Sequence, residues 1–165
     1  ARADARLTHD SPEAEAGSVA VAVAIAASIA HGAEDQESAP FFVWKAVLHA
    51  LREEKLHHTA TFAKIAHACT ASELGVTARG ARIGTMGFVA DTVASALLAG
   101  NSADDFDECV CDAILDAGDT DTRAAIAAAI RMARGDCTIP DRWRNVELRE
   151  ELLELDARLW KAGEK

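Results

Sequence analysis

At 165 residues the chain has the length of one domain and enough material for a real core. Half of it is hydrophobic, which excludes a disordered chain, and a formal net charge of −10 excludes a face rich in Lys and Arg that wraps nucleic acid. Alanine dominates the apolar content, tyrosine is absent, and β-branched residues never cluster over long stretches, so the composition favours helices.

The first strong element follows Ser11-Pro12-Glu13-Ala14-Glu15-Ala16. The uncharged run 17–31 (GSVAVAVAIAASIAH) is apolar on nearly every helical face, which predicts a central, buried helix over 19–30 with Gly32 as its C′ residue. That run is short and alanine-rich for a bilayer span, and no basic n-region precedes it, so neither a membrane partner nor a signal peptide is expected. Residues 33–40 (AEDQESAP) read as a polar loop. Ser38 or Pro40 then starts a helix in which Phe41, Trp44, Val47, Leu48 and Leu51 recur at helical spacing. Residues 56–74 continue the pattern through Phe62, Ile65, Ala66 and Cys69, and the glycine-rich stretch 75–87 reads as a loop. A helix is predicted over 88–100. Ser102 with Asp105 then resembles a capping box for a helix carrying Phe106, Cys109, Val110, Ala113 and Ile114. The sequence Gly118-Asp119-Thr120-Asp121-Thr122 opens a helix over 123–134, a break follows at Ile139-Pro140, and Leu148, Leu152, Leu155 and Leu159 mark a last amphipathic helix. No segment alternates with period two for long enough to be a strand. The expected fold is a single all-α domain of six or seven helices over residues 1–165.

The four scattered cysteines read as free thiols of a cytoplasmic protein. Cys109 and Cys111 stand about 200° apart on a helix, which is poor for shared ligation. His49, His57, His58 and His67 have no acidic or thiol partner at zinc-finger spacing and are expected at the surface or at helix ends. Trp44, Trp143 and Trp160 are expected to pack.

One helix cap needs one oxygen-bearing side chain, yet Asp119, Thr120, Asp121 and Thr122 crowd onto a single turn. The carboxylates of Asp119 and Asp121 repel unless something neutralises them, and a helix N-terminus carries only about half a positive charge. Hard dications take carboxylate and hydroxyl oxygens. Spacing alone leaves both readings open: an elaborate cap, or a metal site built on Asp119, Asp121 and Thr122.

The wider context resembles a known family. GDTDTRAAIAAAI, followed by Ile139-Pro140-Asp141-Arg142-Trp143 and a leucine-rich helix, is similar to the C-terminal end of the ADP-ribosylglycohydrolases, which include the enzyme that reactivates dinitrogenase reductase. Upstream, Leu7-Thr8-His9 with Pro12-Glu13-Ala14 resembles the family's L-T-H segment. Gly87-Phe88-Val89 with Asp91-Thr92-Val93 resembles its G-Y-V-x-x-T-L helix. The likeness runs from about Leu7 to Leu155. It implies an all-α bundle that binds two Mg²⁺ or Mn²⁺ ions and releases ADP-ribose from modified protein side chains. It also implies metal ligation by Asp119, Asp121 and Thr122, contact of His9 with ribose or phosphate, and an adenosine end lined by Gly87 and Phe88. ADP-ribose or an ADP-ribosylated protein is the implied partner.

The match is incomplete. The family's G-D-x-x-G and S/T-D-D-T segments, which complete the two-metal site and supply an acidic group for the chemistry, are not found. Asp104-Asp105 precedes Phe106, Glu34-Asp35 sits in the polar loop, and Asp91-Thr92 lacks a second acid. Ala117 and Ala128 stand where the family favours glycine. Arg131 replaces a small residue and is expected to face solvent. The chain therefore resembles the family's C-terminal half. Its catalytic residues are expected in an N-terminal half, and an exposed apolar seam is expected to drive pairing with that half or with a second copy. The alternative is a non-catalytic relative that binds ADP-ribose or is purely structural.

Overall fold

The computed structural model describes residues 1–32, 38–78, 80–115 and 117–163; most of the predicted polar loop, including Glu34 and Asp35, lies outside them. All regular structure among the described residues is helical, as the composition requires. In chain order the elements are α1 (Arg2–Ala5), α2 (Pro12–Gly32), α3 (Ala39–Glu53), α4 (Ala60–Glu73), α5 (Val89–Ser102), α6 (Phe106–Leu115), α7 (Thr120–Ala133), a 3₁₀ turn at Asp141–Trp143, and α8 (Arg149–Gly163). The count exceeds the expected six or seven by the short α1, which has too few residues to show a periodic pattern.

The centre of the bundle is α5, not α2. Every residue from Thr92 to Asn101 is buried, because α5 is packed by α2, α3, α4, α6 and α7. By contrast α2, although it touches α1, α3, α4, α5 and α7, leaves Ala22, Ala26, Ile29 and Ala30 exposed. Its uniformly apolar composition carried no signal of which face would be covered. It is also longer than the uncharged run. Its 21 residues have the length and apolarity to cross a bilayer, but Glu13 and Glu15 in its first turn have specific partners inside the fold.

Those two carboxylates organise one end of the bundle. Glu13 accepts from the Ala60 and Thr61 amides at 2.9 and 2.8 Å and from the Thr61 hydroxyl at 2.6 Å, so α2 caps α4 from outside. Partial burial pushes the Glu13 carboxyl up, but these bonds outweigh it and hold the group below the usual range. Glu15 pairs with Arg2 and Arg6, tying α1 to α2. The cap of α4 itself is Thr59, whose side chain accepts from the Phe62 amide at 3.1 Å, so the helix begins at Ala60 rather than Leu56. His57 and His58 fall in the turn before it and are exposed, as are His49 and His67.

Three further expectations are corrected. Gly32 does not stop α2 in a left-handed conformation. It is a buried helical residue whose missing Cβ lets the Arg134 backbone approach, with Arg134 Cα only 2.6 Å from where a Cβ would stand. Ser102 is the last residue of α5. The cap of α6 is Asp105, whose Oδ1 accepts from the Glu108 amide at 2.8 Å. Arg131 is 2% exposed rather than solvated. It lies on the buried stripe of α7 with Arg123, Ala127 and Ile130, at helical offsets of four, seven and eight from Arg123. Its guanidinium pairs with Asp136 and donates to the Asp104 carbonyl.

Trp44 is a core residue, and Trp143 packs edge-on to Phe106 with centroids 6.1 Å apart. Trp160 departs from expectation, being 74% exposed on α8. The whole of α8 contains no buried residue and packs against no other helix, so Leu148, Leu152, Leu153, Leu155 and Leu159 form an uncovered apolar surface. The four cysteines are free, and burial pushes the Cys109 thiol up to about 12 while Cys111, on the opposite face, is exposed.

Candidate metal and nucleotide site

The turn 117–122 is built by close docking against the loop before α5. Gly118 has φ +80, and a Cβ there would overlap the Thr85 carbonyl. With that space open, the Asp119 amide donates to Thr85 O at 2.8 Å. Behind the turn, the wholly buried Arg123 donates from Nε to Ser95 Oγ at 2.9 Å and from Nη1 to Ala117 O at 3.0 Å. The turn is thus pinned to both the 84–88 loop and the middle of α5. Ala117 takes φ +57, a left-handed conformation in which glycine is the relaxed choice.

Asp119 occupies the N-cap position of α7 but makes no side-chain cap bond. Its Oδ1 instead accepts from the Thr122 hydroxyl at 2.8 Å, and its Oδ2 lies 3.3 Å from Thr92 Oγ1. The Thr122 hydroxyl holds the carboxyl below the usual range against a smaller upward push from desolvation, and Asp121 and Thr92 add to the lowering. The carboxylate is thus given mainly to hydroxyls, with the Thr122 amide adding a further lowering contact, so the turn is a weak cap as well as a cluster of oxygens. Over it stands Gly87, where a Cβ would be 3.6 Å from Asp119 Oδ2, so the absent side chain leaves the approach open.

The structure brings Asp119, Thr122, Asp121 and Gly87 together. Phe88 follows directly as the N-cap residue of α5, 51% exposed at the rim. His9 makes its side-chain contact elsewhere, with Nδ1 2.9 Å from Thr8 Oγ1 on the exposed loop leading into α2. That loop reaches the same end of the bundle, because Gly17 of α2 packs on Val89. Asp91 is engaged by Lys64 at 2.9 Å. Among the described residues no three His, Cys, Asp or Glu side chains come together. The donor set is two carboxylates and two threonine hydroxyls.

Sequence reasoning missed Thr92, Thr85 and Arg123 as parts of this site. Thr92 was visible only as one landmark of a helix. For Arg123 a signal existed: it opens the same stripe that Ala127 and Ile130 occupy. A cavity of about 740 Å³ lies elsewhere, lined by Leu98, Asn101, Asp104, Glu108 and Arg134 near the far end of α5. The 14 residues of α5 span about 20 Å, so that cavity and the Asp119 turn are separate places.

The family model for ADP-ribosylglycohydrolases matches residues 1–165, the whole chain. The chain belongs to the ADP-ribosylglycohydrolase family. The family assignment agrees with the all-helical architecture. An uncharacterized protein of Archaeoglobus fulgidus is 31% identical over 161 residues, which is 97% of this chain and 50% of that relative. The chain thus spans half the length of this relative. No solved structure matches the chain.

Proposed function

We propose that this chain carries one side of a metal-dependent ADP-ribosyl glycohydrolase, completed by further residues of a family-length protein. The observation that supports it most is Asp119: its carboxylate is engaged mainly by hydroxyls and lies beneath an open glycine. A donor set made wholly of hard oxygens fits Mg²⁺ or Mn²⁺, and Mg²⁺ commonly keeps several waters while using one or two carboxylates. Asp119, Asp121 and Thr122 would hold such an ion, which supplies Lewis acidity and orients ribose hydroxyls and water beside the anomeric carbon. The residues present suit part of one coordination shell rather than two.

Within this reading Phe88 offers an exposed aromatic face to adenine, Gly87 keeps the backbone thin where the ligand enters, and His9 contacts ribose or phosphate. The group that protonates or activates the leaving side comes from outside the chain. A non-catalytic ADP-ribose-binding role is the second reading, favoured by the one-sided donor set.

The test is ADP-ribose release from an ADP-ribosylated protein with Mn²⁺, by this chain alone and joined to the other half of the archaeal relative. The reading expects little or no turnover alone, and turnover lost in D119N when joined. Calorimetry showing no uptake of Mn²⁺ or ADP-ribose by either form would remove both ligand-binding versions.

A further inference from the structure

Two acceptors compete for one proton beside Asp119. Thr92 Oγ1 lies 3.0 Å from the Met86 carbonyl oxygen and 3.3 Å from Asp119 Oδ2. A threonine hydroxyl has a single hydrogen and two lone pairs. The shorter contact to Met86 is the better hydrogen bond. When it forms, a hydroxyl lone pair faces a carboxylate oxygen, an arrangement that a cation between or beside them relieves. Thr92 is 4% exposed, so bulk water has little access to serve that purpose. On the other carboxylate oxygen the Thr122 hydroxyl donates at 2.8 Å, so Asp119 is held from its own helix while the Thr92 oxygen of α5 lies beside its free side.

We propose that Thr92 is the positioning residue of this metal site, held by the Met86 carbonyl so that its oxygen and Asp119 Oδ2 face the same cation. This rests on the metal reading given above. Three features suit Thr92 to the task. Its β-branched side chain has restricted rotamers in a helix. The Met86 carbonyl orients its hydroxyl from the 84–88 loop, which the Asp119 amide also holds through Thr85. Its place 27 residues before Asp119 makes the geometry a property of the α5–α7 packing rather than of the turn alone. Groups that orient the oxygens around a metal control its affinity strongly.

The experiment compares wild type, T92V and T92S of this chain by Mn²⁺ titration, following the electron paramagnetic resonance of free Mn²⁺, with metal-free thermal melts alongside. T92V keeps the volume and loses the hydroxyl, so its Mn²⁺ affinity is expected to fall about tenfold or more. T92S restores the hydroxyl and is expected within about threefold of wild type, a rescue that a packing role does not give. T92A replaces T92V if the valine variant fails to fold. Wild-type binding with equal affinity in T92V or T92A would overturn the positioning role and leave the metal reading intact. A wild type that takes up no Mn²⁺, either alone or joined to the other half of the archaeal relative, would remove the metal reading and this role together.

Discussion

Replacing Gly118 by alanine should unseat the turn that presents Asp119. The residue sits at φ +80, and a Cβ there would stand 2.7 Å from the Thr85 carbonyl carbon and closer still to its oxygen. Placing an L-residue in the left-handed region costs about 1–2 kcal/mol. The overlap is with backbone, so no rotamer relieves it, and overpacking of this kind adds roughly 1–3 kcal/mol. Relief by separation stretches the 2.8 Å bond from the Asp119 amide to Thr85 O, worth about 1 kcal/mol. Reduced freedom of the unfolded chain returns about 0.4–1 kcal/mol. The net is a loss of about 4 kcal/mol, or roughly 8–16 °C in Tm for a chain of this size. Urea unfolding followed by circular dichroism measures it, with G75A as the control. Gly75 has φ +64 but nothing within 4 Å of a built Cβ, so G75A carries only the backbone cost of about 1 kcal/mol. Equal losses in G118A and G75A would refute the docking of the 84–88 loop on the turn.

Three further outcomes follow from the packing. Asp136 lies between Arg131 and Arg134; burial pushes its carboxyl up, but the Arg131 hydrogen bond and both guanidinium charges hold it below the usual range. Its contribution to stability is therefore full above the unfolded value near 3.9 and is lost as pH falls through the depressed folded value. D136N should cost about 3–5 kcal/mol near neutral pH, with the gap to wild type closing in acid; a gap that stays constant to pH 2 would sink this account. Cys109, whose thiol burial pushes up to about 12, should resist a thiol-specific reagent at pH 8 while Cys111 reacts, as read by peptide mass spectrometry; equal labelling of the two contradicts the packing of α6. Deleting residues 149–165 should change Tm by less than about 2 °C, because α8 buries nothing; a larger drop would mean the helix packs on the body in solution.

Much of the architecture was legible because helical periodicity is a local property. Phe106, Cys109, Val110 and Ala113 appear in the sequence at the spacing with which they are buried in α6. The GDTDT turn announced itself by an excess of oxygens over what one cap consumes. Its strength as a cap was not legible, since the Thr122 hydroxyl takes the Oδ1 that the helix amides would otherwise claim. Arg131 was expected in solvent because a guanidinium facing the site would oppose a metal. Asp136, five residues on, makes its burial possible.

By itself the sequence determined the helical class, the family and the oxygen-rich turn, all of which follow from composition, spacing and ordered landmarks along the chain. Only the tertiary structure decided which helix is central, since α2 and α5 are both apolar and their burial depends on what surrounds them. It also decided that Asp119 belongs with Thr92 and Gly87. Those contacts join residues some thirty positions apart, and they exist only because α5 and α7 pack closely enough for the Gly118 turn to meet the Thr85 backbone.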